Sequence, residues 1–362
     1  MTSKLYAFLL FFFAIGGLHA QYSSLNQQEI NKLQRLLSSD TGVKQLYGKW
    51  LYLADRSLTE DPHPIDTIRT EGLLKGNPKK TATASALADM AKMYALALVY
   101  RVSHDKRYLE KVASYLKAWA VGNSPNGDPI DDTNLDNGIE AFDMVKGELS
   151  PADATVIITW LQRTAETEIN GPRNRPDRET SYNNWHSHRL KIIGEIGFAI
   201  GDTALQHYTI TSLKKQLEKN LNPDGSSIDF GLRDALHYHV YDLDPLLKLA
   251  IVLQRATGVN YYVYQSGSGS SIQKSVAWLL PYLNGEKTHP EFVNSTVNFD
   301  RERAKNNEPG YKAGTLFDPK NGAPTLLLAA YFDPSLLPLA RQVLATDAVY
   351  PAWQAVVNYL MK

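Results

Sequence analysis

Cysteine is absent from all 362 residues, so no disulfide braces the fold and stability must come from the core alone. An excess of either charge is also missing: Lys plus Arg and Asp plus Glu each number 38. There is no basic field for a nucleic acid and no acidic tail, so a polyanionic partner would have to be met by a local cluster of positive charge. Neither a GxSxG serine elbow nor a GxxxxGK phosphate loop occurs, which removes the usual sequence signals for a serine nucleophile or a nucleotide phosphate site. Long apolar runs are confined to the amino terminus. There Lys4 precedes the apolar stretch 5–15, and small residues follow up to Ala20. The stretch is shorter than the roughly 20 residues that span a bilayer. Residues 1–20 are therefore expected to be a secretory signal cut before Gln21, with a periplasmic or secreted product and no membrane partner after cleavage.

What is abundant is helical periodicity and aromatic surface. Residues 82–102 and 108–121 each carry apolar positions on one helical face, and the short turn 103–106 between them predicts an antiparallel hairpin. Further helices are predicted over 151–169, 185–200, 204–221, 232–256, 272–283, 324–331 and 338–344, and alternating strands are scarce. Serial helical hairpins over 21–362 predict one all-α domain, an incomplete (α/α) toroid around a central cleft, with a solenoid as the other arrangement. Segments 122–137, 265–271 and 300–314 read as loops, the second flexible and the last charged and solvated. The 20 tyrosines and 6 tryptophans suit either core packing or ring platforms for sugars.

Two segments concentrate reactive side chains. The first, SYNNWHSHRL, holds Asn183, Asn184, Trp185, His186, His188 and Arg189 directly before an apolar helix. The second, DGSSIDFGLRDALHYHVYDLDPLL, holds Arg233, His237, Tyr238, His239 and Tyr241. Four of the nine histidines lie in these two stretches, a clustering that points to a site. On a regular helix, Tyr238 lies about 160° from the apolar face formed by Leu236, Val240, Leu243 and Leu247, so its phenol is expected to face a cleft or solvent.

RDALHYHVYDLDPLL resembles the RAL-YH helix of the family five alginate lyases and their relatives, and SYNNWHSH resembles the Asn-Asn-His segment of the same group. The order and separation of the two stretches match, and the glucuronan lyases of family thirty-eight are similar as well. The resemblance implies an α/α toroid and β-elimination in a 1,4-linked uronic-acid polymer, glucuronan or mannuronate-rich alginate, without a cofactor. It also implies that Tyr238 is the acid/base and that Asn184 helps neutralise the substrate carboxylate. The family histidine follows that asparagine directly. Here Trp185 occupies that place, leaving His186 or His188 for the role, with Arg233 as the cation. Asn183, Trp185, His188, Arg189, His237, His239 and Tyr241 complete the expected substrate contacts.

The chemistry accounts for such a set. The C5 proton beside a charged carboxylate is a very weak acid, and donors on the carboxylate stabilise the enolate-like intermediate. In D-mannuronate and D-glucuronate, H5 and O4 lie on one side of the ring, so one residue can take the proton and return it to the leaving oxygen. In L-guluronate they are opposed, and a second residue is needed, with His186 as the candidate. Three other readings compete. A metal could sit on His186, His188, His237 and His239, although residues two apart on a helix diverge by about 200°. A glycoside hydrolase could use Asp229 and Asp234. A non-catalytic protein could bind glycan without converting it.

Overall fold

The computed structural model describes residues 20–362. The expected signal therefore lies, but for Ala20, outside the described residues. Among these described residues, sixteen α-helices follow one another. The first six are α1 (Gln27–Ser39), α2 (Thr41–Ser57), α3 (Pro78–Ser103), α4 (Lys106–Gly122), α5 (Pro129–Asp132) and α6 (Asp136–Val145). Next come α7 (Pro151–Asn170), α8 (Asn184–Ile200), α9 (Thr203–Asn220), α10 (Ile228–Arg233) and α11 (Leu236–Thr257). The chain ends with α12 (Ile272–Leu283), α13 (Asn298–Lys305), α14 (Ala323–Ala329), α15 (Leu337–Val343) and α16 (Trp353–Leu360). The described residues contain two isolated β-bridges, Leu221 with Ser227 and Pro290 with Leu316, and no named strand.

The boundaries follow from local chemistry. Asp105, Asp202 and Ser271 cap the amino ends of α4, α9 and α12 with their side chains, each satisfying a backbone N–H that would otherwise be orphaned. Gly201 and Gly258 end α8 and α11 in the left-handed region, at φ 75° and 74°. Successive helices pair as hairpins, α2 with α3, α3 with α4, and α8 with α9. The α3, α6, α8, α11 and α14 helices then pack in series, and α16 returns against α1, α2 and α14. The result is the all-α toroid that the hairpin pattern predicts. By length and composition α3 could cross a bilayer, unlike any stretch singled out in the sequence after the amino terminus. In the fold it is a core helix, with Met93, Ala95, Leu96, Ala97 and Leu98 fully buried.

Two apolar clusters fill the ring, and α8 contributes to both: Ile192, Ile193 and Ile196 to one, Leu190 and Phe198 to the other. Helix α8 is squeezed between neighbours. A Cβ at Gly194 would stand 2.5 Å from Leu249 Cδ1 and 2.9 Å from Thr209 Cγ2, so only glycine allows α9 and α11 to approach this closely.

Four sequence expectations change, three of them outside segment 300–314. The 232–256 helix is broken: α10 ends at Arg233, Asp234 adopts φ 48°, and α11 begins at Leu236. Segment 122–137 contains α5 and the start of α6 rather than a free loop. Segment 265–271 is ordered, because Ser270 donates to the Leu217 carbonyl at 2.6 Å and Ser266 N–H donates to Ser270 O.

Candidate active site

A cleft of about 170 Å³ opens where the start of α8, the α10–α11 break and α13 meet. Its lining includes Asn184, Trp185, Arg233, His237, Tyr238 and Tyr241, together with Glu71, Ile130, Phe299, Arg303 and Tyr311.

Tyr238 sits on the first turn of α11. Its ring packs with Ala235 and Phe292 and is 5 % exposed, while its hydroxyl meets the cleft. Arg233 Nη1 donates to Tyr238 Oη at 2.9 Å and Arg303 Nη1 at 2.7 Å. The Arg233 guanidinium also lies 4.0 Å from the Tyr238 ring centroid. Arg233 could not reach this position on a continuous helix, where it would stand about 140° round from Tyr238. The left-handed Asp234 folds α10 back and makes the contact possible. Asp300 fixes Arg233 through a 2.6 Å ion pair. Burial pushes the Tyr238 phenol well above its ordinary pKa, while Arg233 and Arg303 pull it the other way. The resting phenol is therefore neutral, and the two guanidinium groups favour its anion when it forms.

Asn184 is the first residue of α8 and is almost fully buried. Asp229 accepts from its backbone N–H at 2.8 Å and from its side-chain Nδ2. Asn220 Nδ2 donates to the same carboxylate at 3.2 Å. Burial raises the Asp229 pKa to about 6, against these donors and the Arg233 charge. Asp229 is thus a support for Asn184 beneath the cleft. Asp234, the other acid considered for hydrolysis, accepts from Asn294 N–H and Nδ2 at 2.8 and 3.0 Å. Neither carboxylate lines the cleft.

The histidines separate. His186 turns into the protein, with Nδ1 3.3 Å from Arg189 Nη1, and burial and the Arg189 charge lower its pKa to about 3. His188 has a structural task. Pro245, inside α11, has no N–H for the Tyr241 carbonyl four residues earlier. His188 Nε2 supplies the missing donor at 3.1 Å, while Thr133 Oγ1 donates to Nδ1 at 2.9 Å. His239 is held between Ser227 Oγ and the Ser275 carbonyl, both at 3.1 Å. Of the four, only His237 lines the cleft.

Asn183 is the amino-terminal cap of α8, accepting from Trp185 N–H at 3.0 Å. Arg189 is fully buried in an ion pair with Glu168 at 3.1 Å. The structure thus moves Asn183, His186, His188, Arg189 and His239 out of the cleft and keeps Asn184, Trp185, Arg233, His237, Tyr238 and Tyr241 in it. Trp185, at the place of the family histidine, carries the Arg173 guanidinium 5.4 Å from its ring centroid.

Sequence reasoning missed Arg303, Tyr311, Phe299, Asp300 and Glu71. The first four come from the 300–314 region and its edge, expected to be a solvated loop. Instead α13 places Asp300 in the interior, at 1 % exposure, and aims Arg303 at the phenol. Segment length was the available signal, since long loops in compact folds often build sites. Glu71 had none: its place is set by Asp131, which accepts from the Thr70 and Glu71 backbone N–H groups at 2.6 and 3.0 Å.

Comparison with known proteins agrees with this fold. The family model described as alginate lyase matches residues 28–289. A polysaccharide lyase of Stenotrophomonas maltophilia is 25 % identical over 275 residues, covering 70 % of this chain and 81 % of that protein. An alginate lyase of Bacteroides ovatus superposes with a TM-score of 0.67 at 16 % identity, over 91 % of this chain and 97 % of the other. Alginate lyase A1-III of Sphingomonas species A1 gives 0.55 at 18 % identity, over 75 % and 80 %. At these identities the two structures speak for the toroid, and the sequence match carries the membership: the chain belongs to the alginate lyase family and is a polysaccharide lyase.

Proposed function

We propose that this lyase cleaves a 1,4-linked polymer of D-uronic acids by β-elimination, with glucuronan first and mannuronate-rich alginate second. The observation that carries this reading is the Tyr238 hydroxyl held at the cleft by Arg233 and Arg303 at 2.9 and 2.7 Å. Once the Tyr238 phenol has given its own proton to solvent, the C5 proton passes to the phenolate oxygen, the C4–O4 bond breaks, and a C4=C5 double bond forms. The proton then leaves with O4. Asn184 and the two guanidinium groups oppose the growing charge on the carboxylate, which is how a buried oxyanion site lowers a barrier. Support for D-configured sugars comes from His186 and His188. Both are turned away, so neither can serve as the second base that opposed H5 and O4 would need. Export through the amino-terminal signal fits a polymer substrate too large to enter a cell, and is proposed on the sequence alone.

The test is ultraviolet absorbance of the unsaturated uronyl end, recorded with purified protein on glucuronan, mannuronan, guluronan and pectate. Product is expected from glucuronan or mannuronan and none from guluronan. Turnover of guluronan in preference to both D-uronate polymers overturns the stereochemical reading.

A further inference from the structure

His237 is a cleft residue whose hydrogen bonding is in part left open. Its backbone N–H is tied to Glu291 Oε2 at 3.0 Å, which fixes the first turn of α11 and leaves the ring to face Tyr238, Tyr241, Phe292 and Tyr311. Nε2 points at Tyr311 Oη, 3.5 Å away, a long contact of the sort that tightens when a ligand closes a site. Tyr311 Oη already accepts from Arg303 Nη1 at 3.2 Å. Its own proton has no acceptor among the described residues other than His237 Nε2. The relay Arg303 to Tyr311 to His237 therefore makes Nε2 an acceptor, which leaves the imidazole proton on Nδ1. Nδ1 has no protein partner among the described residues and is not sealed in the interior.

We infer that His237 is a substrate-contacting donor of this enzyme, presenting a neutral Nδ1–H to the carboxylate of the bound uronate beside Asn184. This rests on the lyase reading of the cleft and adds a residue that this chain uses where Trp185 follows Asn184. The charges facing His237 agree with a neutral ring: burial, Arg303 and Arg233 lower its pKa to about 4, against Asp300. A neutral donor suits the task because Arg233 and Arg303 already supply the positive charge. With its proton on Nδ1 the ring offers no free lone pair to the substrate, so it is no base for an L-uronate.

The experiment compares three substitutions on whichever D-uronate polymer the wild-type enzyme cuts. The Asn amide nitrogen falls near the place of Nδ1, and the Gln amide nitrogen near that of Nε2. His237→Asn is expected to keep kcat/KM within about tenfold, whereas His237→Gln and His237→Ala lose about 10²–10³-fold. The inference is overturned if the Ala variant matches wild type, or if folded Asn and Ala variants are equally impaired. A second readout needs no turnover: nitrogen-15 shifts of His237 in the free protein should report the Nδ1–H tautomer, and Tyr311→Phe should shift the population toward Nε2–H. A Nε2–H or cationic imidazole in wild type refutes the donor assignment even if the enzyme proves to be a lyase. An Nδ1–H tautomer in a protein that cuts no uronate polymer would instead sink the lyase reading and leave the tautomer standing.

Discussion

A phenol is a poor base at neutral pH because its ordinary pKa is about 10, and burial makes Tyr238 poorer still. The two arginines on its oxygen are what make the anion accessible. Arg233 is locked by Asp300. Arg303 also donates to Tyr311, so it connects the phenol to the relay that orients His237. Replacing Arg303 with Gln keeps a hydrogen-bond donor but removes the charge. Such a variant should lose about 10–10³-fold in kcat/KM, and the limb of the pH–rate profile that rises with phenolate formation should move to higher pH, since a phenolate without its cation is harder to form. A profile and rate equal to wild type would mean that Arg303 does not act on the phenol.

At the scale of elements, the site depends on two interruptions of α-helical order. The Asp234 break brings Arg233 over Tyr238, and Pro245 in α11 frees the Tyr241 carbonyl that His188 binds. Both could be read only in part from the residues. The motif containing Tyr238 and the apolar face of its helix were legible because helical periodicity records which side is packed. The break was not, because Arg-Asp-Ala has no residue that forbids a helix, and tertiary contacts decide it: Asp234 is engaged by Asn294 and His289. The histidine-rich string likewise looked like a shared site because spacing in sequence does not show which carbonyls lack a donor. His188→Ala should lower stability by about 1–3 kcal/mol by leaving the part-buried Tyr241 carbonyl unpaired. Chemical denaturation would show the loss as a lower midpoint, and an unchanged midpoint would mean that water replaces the imidazole at no cost.

Across the whole molecule, the helical hairpins and their closure into a ring were predictable from apolar periodicity and short turns. The charged lining of the ring was not, since it joins residues 55 to 112 positions apart. Lys248 of α11 meets Asp136 and Glu140 of α6 at 3.0 and 2.9 Å, and Lys191 of α8 meets Asp136 at 2.5 Å. Burial opposes ionisation of Asp136, yet the two lysines hold it below the usual carboxylate range. Glu195 beside it is pushed up by burial and by the Asp136 charge. Two sets of buried groups tilt stability in opposite directions. His188 and His239 are held neutral, with pKa values lowered by burial to about 3 and about 4. The stability they contribute is present above pH 6.5 and is lost as pH falls through those values. Burial raises Asp244 to about 6, so its contribution is present below its unfolded value and is lost as pH rises through 6. Asp244→Asn keeps a partner for Thr325, which donates to it at 2.5 Å, and should raise stability by about 1–2 kcal/mol at pH 7 with little change at pH 4. An equal effect at both pH values would contradict this assignment.

The central claim, that one phenolic oxygen carries the proton between C5 and O4, is tested most directly by Tyr238→Phe on the polymer that the wild-type protein cuts. Removal of a single oxygen should leave the helical circular dichroism and oligosaccharide binding in place and reduce formation of unsaturated ends by at least about 10³-fold. A folded Tyr238→Phe enzyme that still produces unsaturated ends at near wild-type rate would contradict the account.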